Sequence, residues 1–375
     1  MKIKIKEEKI NKENFKEIKE ENVGELGDKK AEIDKKKVDK KKMSHSELRQ
    51  DIITGDWVVI ATGRAKRPED FVGSRQEKFN DDISKCLFCD PEATGQEKDV
   101  LMYVDSSDKW TLRVFPNKYP AIERGKKMRS LSEGPYYATT GVGYHEIFVT
   151  KDHDRHLPDL EVEEVAEVID AYSDRYLHLM KRKSVSFVSI FHNYGKEAGA
   201  SISHPHSQLL AVPVISPYIN LELEGAQKYK KSHKKCVYCT IIEYEKEKEE
   251  NSRVIYENDD FIAMCPFASR SAFEVWVLPK KHNPYFERIN NDAKLSLAEV
   301  LKKALASIRD TIGDPAYNFY IHTSPCDGKH YSYYHWHIEI LPRTSTWAGF
   351  ELETGIEIST IQPEVAAQHL REHVK

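Results

Sequence analysis

One order of residues occurs twice in this chain, and it constrains the fold more than any other feature. "KCLFC" at 85–89 returns as "KCVYC" at 235–239, and "HEIFVTKDH" at 145–153 returns as "FEVWVLPKKH" at 273–282. Each of the longer pair is an alternating apolar run that ends in a polar corner and a histidine, the pattern of a half-buried strand. A helical pattern follows in both places, residues 159–182 and 291–314, with apolar side chains three and four apart. A further strand comes next, "VSFVSIFHN" at 185–193 and "YNFYIHTSP" at 317–325. A His-x-His pair closes each series: His204 and His206 just ahead of the apolar run "LLAVPV", and His335 and His337 in "HWHIEILPR". A duplicated order predicts duplicated structure. The expected fold class is α+β, with halves at 43–215 and 216–375 whose sheets can join into one.

Residues 1–42 stand apart. They hold 15 lysines, 11 acids and a single aromatic residue, Phe15. Such a segment cannot bury enough apolar surface to offset its ordering entropy, so a disordered or loosely helical extension is expected. Met43 opens the strand-like pattern and could itself be the start of the chain. The formal net charge is −4 and the body carries no large basic block, so nucleic acid is not expected as a partner. No apolar run approaches the roughly 18 residues of a membrane span, and the lysine-rich start has no signal-peptide core. A cytoplasmic protein without a membrane partner is the expectation.

Four of the six cysteines form the two C-x-x-C pairs. In a chain without an export signal, that spacing favours metal or redox chemistry over structural disulfides. Cys86, Cys89, His153 and His204 make one candidate set, and Cys236, Cys239, His282 and His335 the other. Two thiolates with two imidazoles suit tetrahedral zinc, so two zinc ions per chain are expected. Both spheres would be closed by protein ligands and therefore structural. His156 could stand in for His153, and His337 for His335. A thioredoxin-like redox pair is the alternative, but neither pair shows the helical context of that motif. Cys265 and Cys326 have no such partner and are expected to pack in the core.

If His204 is a metal ligand, His206 is free. A neutral imidazole whose other nitrogen is held by a hydrogen bond is a competent nucleophile at neutral pH. The upstream loop "HNYGKEAGAS" offers backbone donors and hydroxyls, which suit a phosphate. Attack of His206 on phosphorus would give a covalent phosphoramidate. Gln208 cannot act as an acid, but its amide can hold a phosphoryl oxygen. Exchange between phosphate esters therefore fits this pair better than hydrolysis.

These motifs resemble the transferase branch of the histidine-triad superfamily, the galactose-1-phosphate uridylyltransferase family, whose signature is His-Pro-His-x-Gln. The resemblance covers about residues 45–375 and rests on "GRAKRP" at 63–68, "RVFPNKYPA" at 113–121, "HNYG…GASISHPHSQ" at 192–208 and "AGFELETG" at 348–355. It implies histidine-triad-like halves with an antiparallel sheet flanked by helices. It also implies a ping-pong cycle in which His206 takes the nucleoside monophosphate from a nucleotide sugar, releases sugar-1-phosphate, and passes the group to a second phosphate ester. By the same resemblance Arg64 and Arg67 contact phosphate, Asn117 the nucleotide, and Asn193 and Ser201 lie near the phosphates. Phe350 and Glu351 match a sugar-binding Tyr-Glu pair that, in the dimeric family, reaches the neighbouring subunit's site. The enterobacterial type has glycine at Ser207, glutamine at Gly355, and a glutamate with three histidines in place of the second cysteine pair. The plant ADP-glucose phosphorylase branch shares both cysteine pairs and the His-Ser-Gln, but lacks Pro205 and the histidine at 337. The expectation is exchange of UMP between UDP-glucose and galactose-1-phosphate, with an adenylyl-transferring phosphorylase as the alternative. From another class, a zinc-stabilised nucleotide-binding module would need neither His206 nor Gln208.

Overall fold

The computed structural model describes residues 45–62, 71, 82–125, 128–250 and 252–375; the lysine-rich extension, Arg64 and Arg67 lie outside these. In chain order the strands and helices of the first half are β1 (Glu47–Gln50), β2 (Trp57–Ile60), β3 (Leu101–Val104), β4 (Trp110–Pro116), β5 (Ser130–Glu133), β6 (Tyr136–Thr139), β7 (Tyr144–Thr150), α1 (Val162–Leu179), β8 (Phe187–Tyr194) and β9 (His206–Val212). There follow α2 (Pro217–His233), α3 (Val237–Glu247), β10 (Val254–Glu257), β11 (Phe261–Met264), β12 (Val275–Pro279), α4 (Asn291–Ile312), β13 (Tyr317–His322), β14 (His337–Pro342), α5 (Gly349–Thr354), β15 (Glu357–Ser359) and α6 (Pro363–Glu372).

The duplicated sequence is a duplicated sheet. Ten antiparallel strands run in the order β10-β11-β12-β14-β13-β8-β9-β7-β4-β3. Reading outward from the middle, β13, β14, β12, β11 and β10 repeat β8, β9, β7, β4 and β3. The join is the β13–β8 ladder, where Asn318 faces Asn193 and Phe319 faces His192. One continuous sheet buries the edge that each half would otherwise expose.

Strand alternation sends the two faces to different neighbours. On one face Leu209, Ala211, Val188, Ile190, Ile338 and Ile340 join the side chains of α1 and α4 in a single apolar core. α1 buries Val165, Val168, Ile169, Tyr172, Tyr176 and Leu179, the three-and-four spacing read from the sequence. It begins at Val162, later than predicted, because Leu157–Asp159 forms a separate turn and Glu164 accepts the Glu161 amide at 2.7 Å. α4 starts where the Asn290 side chain accepts the Ala293 amide, and ends where Gly313 takes the left-handed conformation, φ 77°. The buried pair Arg175–Glu146, two contacts of 2.8 Å, fastens α1 to β7. The opposite face carries α2, α3 and the turn after β1 over the second half, and the small cluster Phe88, Phe115, Ile147 and Val149 over the first. His206 and Gln208 belong to that opposite face.

Candidate active site

The first cysteine pair lies on the loop around the short turn Ile83–Lys85, and His153 on the corner after β7. His204 stands two residues before β9. Cys86 Sγ lies 3.5 Å from His204 Nδ1, while Cys89 Sγ lies 3.3 Å from His153 Nδ1 and 3.5 Å from His204 Nδ1. His204 Nε2–H donates to the Thr150 carbonyl at 2.7 Å, which leaves Nδ1 unprotonated and facing the thiols. The second set repeats this: Cys236 and Cys239 lie 3.8 and 3.5 Å from His335 Nδ1, and Cys239 lies 3.6 Å from His282 Nδ1. There the Nε2–H groups of His335 and His282 donate to the Pro279 and Ser332 carbonyls at 2.9 and 3.0 Å. A tetrahedron with bonds of about 2.3 Å to sulfur and 2.05 Å to nitrogen has S···N edges of about 3.6 Å. Both sets could therefore hold such an ion, and in each all four donor atoms lie within 4.8 Å of one another. Burial pushes His204 down to about 4, so its imidazole is neutral, the form a metal takes.

The geometry bears on two of the alternatives. His153, not His156, approaches the first thiols, and His335, not His337, the second. One expectation fails: the second C-x-x-C pair does have helical context, because Cys236 is the N-cap of α3 and Cys239 lies in its first turn. The converging imidazoles set it apart from a simple dithiol. Cys265 is fully buried in the core as expected.

His206 opens β9 and is 7% exposed. Its Nδ1–H donates to the His204 carbonyl at 2.9 Å, so the lone pair sits on Nε2. Burial lowers its pKa and the ring is neutral. The Phe88 ring packs edge-on against both His204 and His206, with centroids 6.1 and 5.2 Å away. Phe88 lies between Cys86 and Cys89, so the metal loop and the free imidazole share a wall. Beneath the strand, Ser207 Oγ meets Tyr172 Oη at 2.5 Å and His192 Nδ1 at 2.9 Å, which pins β9 to α1 and β8.

Gln208 lies two residues along, on the face of His206. Its Oε1 is 2.9 Å from Nε2 of His145 on β7, a residue that the sequence reading passed over. Asn117 joins this group: its backbone N–H donates to the His145 carbonyl at 2.8 Å, and its Nδ2 lies 3.2 Å from His145 Nε2. Asn117 Oδ1 also accepts the Tyr119 amide at 2.9 Å, a turn contact. The β8–β9 register pairs Phe191 with Gln208 and His192 with Ser207, so Asn193 comes next to His206 on the same face. Asn193 Oδ1 accepts from Asn318 of the second half at 2.7 Å, and Asn318 also holds the Ala198 carbonyl of the intervening loop at 2.8 Å. Ser201 is exposed on that loop. A cleft of about 680 Å³ opens beside it, lined among others by Asn193, Gly195, Ser203, Pro205 and Arg309. Phe350 and Glu351 stand elsewhere, on the exposed helix α5, where Glu351 accepts the Ala348 amide at 3.2 Å and Phe350 is 47% exposed.

The second half carries a sealed counterpart. His337 Nδ1–H donates to the His335 carbonyl at 3.1 Å, as His206 does to His204. Glu339 takes the place of Gln208. His337 Nε2 faces Glu339 at 3.5 Å and Glu222 at 3.8 Å, and His322 meets Glu222 at 2.9 Å. Arg270 pairs with the other oxygen of Glu339, and Tyr334 donates to Glu222. Glu222, His337 and Glu339 are at most 2% exposed and His322 is 7% exposed, so His337 is closed to a substrate. The two carboxylates raise the pKa of His337 against the effect of burial. The four donors of this cluster could also hold a metal ion. The spacing His-x-His-x-Glu beside His-x-His-x-Gln was the signal in the sequence.

A family model described as galactose-1-phosphate uridyl transferase, N-terminal domain, matches residues 35–216. A second, described as a domain of unknown function (DUF4921), matches residues 150–375. ADP-glucose phosphorylase of Arabidopsis thaliana is 33% identical over 331 residues, 87% of this chain and 92% of that protein. Galactose-1-phosphate uridylyltransferase of Thermotoga maritima is 27% identical over 337 residues, 87% of this chain and 98% of its own. Among solved structures, an Arabidopsis thaliana ADP-glucose phosphorylase with bound ADP-glucose superimposes with a TM-score of 0.74 at 31% identity, covering 87% of this chain and 99% of that one. With its two thiol–imidazole sets, its free imidazole and its glutamine placed as described, the chain belongs to the family of galactose-1-phosphate uridylyltransferases and ADP-glucose phosphorylases.

Proposed function

We propose that His206 carries a nucleoside monophosphate from a nucleotide sugar to a second phosphate ester. Nε2 attacks the α-phosphorus; the P–N bond forms as the bond to the bridging oxygen breaks, and sugar-1-phosphate leaves. A phosphate oxygen of the second ester then attacks the same phosphorus, and the P–N bond breaks. The proton stays on Nδ1, hydrogen-bonded to the His204 carbonyl, which steadies the charge of the substituted ring. The Gln208 amide binds a non-bridging oxygen in both steps, with Asn193 and Ser201 beside it and Arg64 and Arg67 on the phosphates. Asn117 faces the nucleotide. The observation that carries this reading is the Nδ1–H bond of His206 to the His204 carbonyl, which points the free nitrogen away from the strand.

UMP exchange between UDP-glucose and galactose-1-phosphate, a reaction of galactose metabolism, is the reading favoured by the family model and by relatives such as the Thermotoga maritima enzyme. The Arabidopsis thaliana ADP-glucose phosphorylase favours a second reading, adenylyl transfer from ADP-glucose. In either case residues 43–215 hold the chemistry, and residues 216–375 extend the sheet and supply the second metal set and the sugar-binding segment. Zinc in the first Cys2His2 set would cross-link the loops that wall His206, and zinc in the second would do the same beside His337, where Tyr238 lies between Cys236 and Cys239. The protein would work as a cytoplasmic homodimer, with Phe350 and Glu351 of one copy meeting the sugar in the other. Among the described residues no helix is long and apolar enough to cross a membrane. The test is incubation with UDP-glucose and ADP-glucose separately, followed by intact-mass measurement. A uridylyl or an adenylyl adduct that is lost in His206→Ala decides the base; no adduct with either sugar nucleotide overturns the proposal.

A further inference from the structure

An amide side chain has two ends of opposite character. Gln208 can help a transferred phosphoryl group only if its NH2 end faces that group, because its oxygen would repel the phosphoryl oxygens. Which end faces the site is decided by a neighbour. Ala121 N–H lies 3.3 Å from His145 Nδ1. A backbone amide can only donate, so Nδ1 must accept, and the single proton of the neutral ring is on Nε2. Burial disfavours a second proton there. His145 Nε2 is 2.9 Å from Gln208 Oε1, so the ring donates to the amide oxygen. Both hydrogens of the Gln208 amide are then left for the site. Asn117 does not select between the tautomers: with its Oδ1 held by Tyr119 N–H, its amino group lies 3.2 Å from Nε2 and 3.5 Å from Nδ1, whose single lone pair already faces Ala121 N–H. The chain of donors starts from a backbone group that cannot flip.

We propose that His145 is a positioning residue for nucleotidyl transfer, acting through Gln208 by fixing its amide with the NH2 end toward the transferred group. The proposal rests on the functional reading above, since it assigns His145 no contact with substrate. Its register agrees: Ile147 pairs with Gln208 and His145 with Leu210, so His145 stands diagonal to Gln208 on the catalytic face.

The experiment uses the full chain with its metal. His145→Phe keeps bulk but removes both ring nitrogens, and His145→Gln restores a donor. In label exchange between sugar-1-phosphate and nucleotide sugar, His145→Phe should lower kcat about tenfold to a hundredfold with little change in KM, and His145→Gln should recover much of it. The double variant His145→Phe/Gln208→Ala should be no slower than Gln208→Ala alone. Losses that multiply in the double variant, or an unchanged kcat in His145→Phe, would overturn the proposal. A separate readout does not depend on transfer. Long-range 1H–15N NMR of histidine-labelled protein should show His145 as the Nε2–H tautomer, with its Nε2–H resonance shifted in Gln208→Ala. The Nδ1–H tautomer or an imidazolium would sink the assignment even in an active enzyme. Absence of an adduct on wild-type His206, with the tautomer as stated, would instead count against the transfer chemistry and with it the catalytic role of His145.

Discussion

His204 and His206 are two residues apart and do different work in the proposed function, which makes them separable by substitution. His206→Ala removes only the nitrogen proposed to attack. It should fold, keep its metal by elemental analysis and form no nucleotidyl adduct. His204→Ala opens the first Cys2His2 set and should lose metal and thermal stability together, because metal binding is coupled to folding free energy. Should His206→Ala retain exchange of label between sugar-1-phosphate and nucleotide sugar, the covalent route would be excluded. Gln208→Ala should fold and still form the adduct, but slowly, losing about 3 kcal/mol of transition-state stabilisation, the size seen for one preorganised donor. Single-turnover measurement of adduct formation checks it. The sealed counterpart gives the contrast: His337 has the same backbone hydrogen bond, yet it faces two carboxylates where His206 has Gln208 beyond it.

Two joints between elements invite tests. Gly225 lies within α2, where a Cβ would stand 1.7 Å from the Ile53 carbonyl oxygen. The turn after β1 packs that closely against the helix, and Ile53 is part of its core. Gly225→Ala must push the turn and the helix apart, and should cost about 3 kcal/mol in a denaturant titration. The second joint is Glu364 of α6. It accepts from Arg49 on β1 at 3.0 Å and from Arg253 at 2.7 Å. Burial pushes this carboxyl up, but the two guanidiniums outweigh it and hold it below the usual range. A depressed folded pKa gives stability that is present above the unfolded value and lost as pH falls through the folded one. Glu364→Gln should therefore destabilise by about 2 kcal/mol at neutral pH, the worth of a charge-assisted hydrogen bond. The gap from wild type should close as pH falls below the ordinary glutamate range. A gap that widened in acid would contradict this sign.

At the scale of the molecule, one sheet serves two halves, and the second half supports the first. Asn318, from β13, holds both Asn193 and the loop that precedes His204. Asn318→Leu removes both hydrogen bonds from a buried position, so the loop should loosen and the slowed step should be adduct formation, not metal binding. Hydrogen exchange of residues 195–203 and adduct kinetics check this together. Protein purified without added metal should contain two zinc ions per chain, and a chelator should lower its melting temperature. A single ion or none would remove the structural role assigned to one set or to both. If Phe350 and Glu351 complete the site of a second copy, sedimentation should show a dimer, and active monomers would end that part of the proposal.

Much was legible before any coordinates. The duplicated order of C-x-x-C, histidine, helix, strand and His-x-His named both thiol–imidazole sets. It also announced the α+β repeat, because ligand spacing and apolar periodicity are local properties of the chain. The free imidazole followed by elimination, once His204 was counted as a ligand. Other features were decided only by tertiary structure. His145 lies 63 residues from Gln208, and only the β7–β9 register places them on one face. Glu222 reaches His322 and Tyr334 from a separate helix, across a hundred residues or more. Helical context for Cys236 was missed because a cap is set by backbone conformation and not by residue type alone. Hydrogen-bond partners far apart in sequence carry no periodic signal; they exist only once the sheet has closed and burial leaves each polar atom in need of a partner.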